Sequence, residues 1–124
     1  MQKKYRLKGR KTFNYLLNKG TSVPAKALVL IYAPSKFSSR AGFIVSKKIG
    51  NAVIRNRTRR RLREAFRALI PNVSDNTNYV VIARKGIEEL DFFEIKESLI
   101  GVLKRAGPLR RPRHAPGSLS DRRP

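Results

Sequence analysis

The chain has 124 residues, with 29 Lys or Arg against 8 Asp or Glu, a net charge of +21 and a pI near 11.5. That length holds one domain with a modest core, and such a field gathers polyanions and makes binding steeply salt dependent, far from what a metabolic enzyme needs. The absence of cysteine excludes disulfides, thiolate metal sites and cysteine nucleophiles. No run approaches the ~18 apolar residues of a membrane span and no hydrophobic signal segment opens the chain, so the expected setting is the cytoplasm, among nucleic acids.

Residues Met1–Arg10 are basic without apolar pattern and read as a flexible arm. Phe13, Leu16 and Leu17 predict a short helix over Lys11–Lys19, closed by Gly20 as its C-terminal cap. Thr21–Pro24 is extended, and Ala27–Ala33 is a nearly continuous apolar run whose β-branched content favours a buried strand. After a turn at Pro34–Ser39 comes a further strand, Arg40–Ser46, expected to pair with the previous one as an antiparallel hairpin.

The stretch Lys47–Arg67 dominates the chain. It carries Lys47, Lys48, Arg55, Arg57, Arg59, Arg60, Arg61, Arg63 and Arg67 against one acid, Glu64. Leu62, Ala65, Phe66, Leu69 and Ile70 recur at the spacing of a helix that buries one face. Asn56, Arg60, Arg63 and Arg67 then fall on the opposite face, with Arg59 and Arg61 on the flanks. A planar, permanently charged guanidinium matches phosphate oxygens. Crowding so many like charges on one helix is costly unless a polyanion cancels them. A merely solvated face would mix both signs.

Pro71 and the polar segment behind it stop this helix. Tyr79–Ala83 reads as a third long strand, and the last helix starts at Asp91, which with Glu94 makes a capping box. Phe92, Ile95, Leu99, Ile100 and Leu103 supply its apolar face. Five of the eight acids (Glu88, Glu89, Asp91, Glu94, Glu97) gather here, so this helix is expected to turn away from RNA. The pattern stops at Lys104. The domain therefore spans 1–104, and 105–124, rich in Pro and Arg and holding the single histidine, His114, reads as a disordered basic tail.

No glycine-rich phosphate loop, His-Glu-x-x-His or Cys/His spacing occurs. The acids Glu88, Glu89 and Asp91 sit at a helix start, where carboxylates favour the macrodipole without any catalytic part. Residues suited to binding RNA are present; residues suited to cutting it are not. Among aromatics, Phe43, Phe66, Phe92 and Phe93 read as core. Phe13, beside the basic arm, divides evenly between core and a platform for an unpaired base.

Lys48-Ile49-Gly50-Asn51-Ala52-Val53-Ile54-Arg55-Asn56-Arg57, continued by Arg59, Arg60 and Arg63, closely resembles the signature of the protein subunit of bacterial ribonuclease P. Arg6-Leu7, Phe13, Gly20-Thr21-Ser22 and Tyr79–Arg84 add matches, so the resemblance spans roughly Tyr5 to Lys104. It implies an α+β fold, a two-layer sandwich of order α-β-β-β-α-β-α with a left-handed βαβ crossover. It implies a protein that assists a catalytic RNA in removing the 5′ leader of precursor tRNA. The Mg²⁺ needed would be held by the RNA and no cofactor by the protein, and neither a membrane nor a small-molecule substrate is a partner.

By the same resemblance Lys47, Lys48, Asn51, Arg57 and Arg60 dock on the catalytic RNA, with Arg67 on the same basic face. Phe13, Leu17, Ile31, Arg55, Asn56, Arg59 and Arg63 line the cleft for the single-stranded leader. Leu17 stands where relatives often have a second aromatic. Ile31 replaces a strand aromatic, with Tyr32 one residue on and facing the other way. The cleft then relies more on charge than on stacking. The competing readings are a non-catalytic ribosomal protein or RNA chaperone and, less favoured for want of acid, base and metal, a stand-alone nuclease.

Overall fold

The computed structural model describes residues 9–35, 39–69 and 76–106. The basic arm, the centre of the turn after Pro34, the stop at Pro71 with the polar segment behind it, and the tail lie outside the described residues.

The elements run α1 (Arg10–Lys19), β1 (Thr21–Pro24), β2 (Leu28–Pro34), β3 (Arg40–Ile44), α2 (Ala52–Leu69), β4 (Thr77–Ala83), a 3-10 turn (Ile87–Glu89) and α3 (Phe92–Ala106). This is the expected α-β-β-β-α-β-α order. Several ends differ by one or two residues: α1 starts at Arg10, β2 ends at Pro34, β3 ends at Ile44, β4 starts at Thr77 and α3 continues past Lys104 to Ala106.

The strands form one sheet of order β1-β2-β4-β3. The expected hairpin between β2 and β3 does not form. β4 lies between them, antiparallel to β2 and parallel to β3. Polarity explains the choice. Tyr79–Val81 is buried on both faces, which suits a central strand. β3 carries Arg40 and Gly42, which suit an edge. β2 instead forms its hairpin with β1, Thr21 opposite Tyr32.

Alternation along the strands splits the core in two. On the front face Leu28, Leu30, Ala41, Tyr79 and Val81 meet α2 and α3 through Leu62, Phe66, Ile95, Leu99 and Leu103. On the back, Leu16 of α1 closes over Ile31, Ala33 and Val80, with Phe13, Val29, Ile44 and Ile82 partly buried around them. α3 packs along β1 and β2, α2 against β3 and α3. The Tyr32 hydroxyl donates to Ala106 O at 3.0 Å, tying the end of α3 to the front face.

Asp91 and Glu94 make the expected capping box: Asp91 Oδ1 accepts from Glu94 N–H at 2.9 Å, and Glu94 Oε1 from Asp91 N–H at 3.1 Å. Phe93, however, is not core; it is 71% exposed. Counted from Ile95 at about 100° per residue, it falls on the far side of α3, while Phe92 falls on the near side. Its ring rests edge-on against Phe92, centroids 5.2 Å apart.

Gly20 ends α1 with its N–H donating to Leu16 O at 2.8 Å. Its φ of −72° is open to any residue, so the demand for glycine comes from space. A Cβ there would stand 2.5 Å from Ile31 Cγ2 and 2.6 Å from Leu16 O. Gly20→Ala is expected to cost about 1–3 kcal/mol by overpacking, read in a urea melt; an unchanged midpoint would mean that α1 shifts freely on the sheet.

Candidate nucleic-acid interface

The basic loop between β3 and α2 is held at its middle. Ile49 is fully buried, its N–H donates to Ser46 O at 3.1 Å, and Lys85 Nζ reaches Ile49 O at 3.4 Å. Lys47 and Lys48 on one side and Asn51 on the other are thereby left exposed. Asn51 also starts α2, its Oδ1 accepting from Ile54 N–H at 3.0 Å, the side-chain cap that orphan donors at a helix start require.

α2 then presents its cations in a definite arrangement. Thr58, Leu62, Ala65, Phe66 and Leu69 face inward. On one flank Arg55 and Arg59 are half-buried, with Arg63 following one turn later. On the other flank Arg61 donates to Leu90 O at 2.8 Å, reaching the turn before α3. Since that flank meets α3, the flank with Arg55 and Arg59 overhangs the free edge of β3. Asn56, Arg60 and Arg67 form the crest, with Arg57 beside it; all are exposed.

Acids do little to neutralise this surface. The ion pairs among the described residues are Arg67–Glu64, at 3.6 Å on the exposed side of α2, and Lys85–Glu88, at 3.0 Å beside the basic loop, where Lys85 also reaches Ile49 O. Glu88 is held below the usual carboxylate range by backbone N–H groups and Lys85. Arg59 donates to Asn56 Oδ1 at 3.0 Å, a neutral partner that orients the guanidinium without cancelling its charge. Arg55 Nε is buried with no partner.

The cleft residues come from three elements. Phe13 is half-buried in the cluster around Leu16, and Leu17, on the same flank of α1, is 44% exposed. Ile31 is buried beneath α1, beside Leu16. Tyr32 does face the front, as its bond to Ala106 requires. α1 lies on β2 and β4, so Ile44 and Ile82 remain partly exposed on the back face beyond it. That strip of sheet, walled by α1 and rimmed across the β3 edge by Arg55 and Arg59, can take an extended polyanion with apolar and charged contacts together.

Two roles are absent from the sequence: that of Ile49, which anchors the loop, and that of Arg61, whose bond to Leu90 O belongs to the fold. The signal for the first was a lone apolar residue within a basic run. Arg61 gave no local signal. Among the described residues no group of three or more His, Cys, Asp or Glu could hold a metal ion, and no helix is long and apolar enough to cross a membrane.

Residues 1–107 match the sequence profile of the Ribonuclease P family. The chain belongs to the ribonuclease P protein family. The ribonuclease P protein component of Geobacillus sp. strain WCH70 is 40% identical over 113 residues, covering 90% of this chain and 97% of that protein. That of Listeria monocytogenes serotype 4b is 42% identical over 106 residues, covering 84% and 89%. The fold agrees. The RNase P protein of Staphylococcus aureus superposes with a TM-score of 0.77 at 34% identity, over 86% of this chain and 98% of that one. The Thermotoga maritima RNase P protein gives 0.74 at 31%, over 81% and 96%. As a member of this family the chain is the protein part of an endoribonuclease that acts in tRNA 5′ maturation.

Proposed function

We propose that the protein works in the cytoplasm bound to a catalytic RNA, which with its own Mg²⁺ breaks the phosphodiester bond, while the protein grips precursor tRNA by its leader. Lys47, Lys48, Asn51, Arg57, Arg60 and Arg67 dock on the catalytic RNA; the strip bordered by Phe13, Leu17, Arg55, Asn56, Arg59 and Arg63, with Ile31 beneath it, takes the single-stranded leader. The observation that carries the reading is the arginine surface of α2, where Glu64 is the sole acid on the helix and pairs only with Arg67. Free energy lost to repulsion on that face is recovered when phosphates replace counterions.

The test is cleavage of precursor tRNA by the cognate RNA at low Mg²⁺, with and without the protein. Stimulation is expected. No stimulation would favour a ribosomal protein or RNA chaperone, and cleavage by protein alone would make it a nuclease in its own right. Within the cleft, Phe13→Ala should weaken precursor binding by about 1–3 kcal/mol, the worth of one stacked base, and leave mature tRNA binding unchanged. Equal losses on both RNAs would return Phe13 to the core.

A further inference from the structure

On the back of the sheet one half-buried arginine has a buried Nε with no hydrogen-bond partner. β3 alternates, so Arg40 shares the face of Gly42 and Ile44, the face on which α1 lies. In the parallel register Arg40 stands beside Asn78, as Gly42 stands beside Val80 and Ile44 beside Ile82. The uncovered strip is therefore apolar at its Ile44–Ile82 end and polar at its Arg40–Asn78 end. Arg40 and Asn78 are both half-buried.

Arg40 Nε is buried and has no hydrogen-bond partner, and no carboxylate among the described residues pairs with the guanidinium. A buried donor on a permanent charge is costly to leave unmade, and native structures rarely leave one without a reason. Arg55 Nε, on the α2 flank over the same strand edge, has the same unmet need. Two unmet guanidinium donors bordering one strip fit a ligand that brings phosphate oxygens at intervals.

We infer that Arg40 and Asn78 form a further subsite for single-stranded RNA, Arg40 binding one phosphodiester group with its guanidinium fork and Asn78 offering its carboxamide to the adjoining nucleotide. The inference rests on the leader-binding reading and extends it to the start of β3 and β4. The fork is what makes the position specific, because a lysine there would supply charge without two parallel donors.

The test uses the full chain with its cognate catalytic RNA, and measures affinity for precursor tRNA and for mature tRNA across a salt series. Arg40→Gln should weaken precursor binding about tenfold or more, the worth of a charge-assisted hydrogen bond, and reduce the log-affinity against log-salt slope by roughly 0.7, one single-strand phosphate. Mature tRNA binding should be unchanged. Arg40→Lys should restore the slope but only part of the affinity, and Asn78→Ala should weaken precursor binding alone.

Equal losses on precursor and mature tRNA, or precursor binding like the parent's in a folded Arg40→Gln, would overturn the inference. Should Arg40→Gln lose its circular-dichroism signature of folding, Arg40→Lys decides: parental melting with parental precursor affinity rules the subsite out. Phe13→Ala in the same assay separates this from the leader-binding reading. If Phe13→Ala weakens precursor binding alone while the Arg40 and Asn78 variants bind as the parent does, only the subsite fails.

Discussion

Replacing Phe66 with alanine should remove about 3–5 kcal/mol of stability, the range for deleting a buried aromatic ring. Phe66 is 2% exposed, and its ring meets Phe43 edge-on at 5.9 Å and Tyr79 at 5.4 Å. It thus joins the most basic helix to an edge strand and to the central strand at once. A domain of this size has about 5–15 kcal/mol in all, so the loss would leave α2 marginally attached under its own repulsion. A urea melt followed by circular dichroism reads it. A shift below about 1 kcal/mol would mean that α2 is held elsewhere and that the arginine surface does not depend on this contact. Saturating RNA, which binds the native state, should recover part of the midpoint in proportion to its affinity.

That dependence was legible in the sequence because period and burial coincide: Leu62, Ala65, Phe66 and Leu69 occupy one side of a helix whatever lies opposite. Strand order was harder. Neighbours in sequence usually pair, so β2 and β3 suggested a hairpin. The contrary signal was the unbroken apolar run of β4 set against Arg40 and Gly42 in β3. Phe93 shows the limit of composition: an aromatic in an apolar segment reads as core until the helical angle is counted. Side-chain roles that depend on distant backbone stayed hidden. Arg61 is one more arginine in a run until Leu90 O, 29 positions on, is brought beside it. Arg40 is an ordinary strand residue until its Nε is found buried and unmet. The family signature singled out these cations as a group, but their division between a crest and an overhanging flank comes from the placement of α3 against one side of α2.

Arg57 and Arg60, exposed on and beside that crest, should together carry a large share of the affinity for the catalytic RNA. Neither has a carboxylate partner among the described residues, so each is free to neutralise a phosphate. Arg57→Ala with Arg60→Ala should reduce the log-affinity against log-salt slope by about 1.4–1.8 units, two phosphates' worth between the single-strand and duplex limits. At low salt the affinity should fall about a hundredfold or more, since each charge-assisted hydrogen bond contributes about 1.5–3 kcal/mol. Arg61→Ala is the internal comparison. Its guanidinium already donates to Leu90 O, so its loss should lower the melting midpoint and leave the slope where it was. An unchanged slope in the double variant would mean that the crest faces solvent in the assembled particle. A slope lowered equally by Arg61→Ala would mean that charge number, not placement on α2, governs binding.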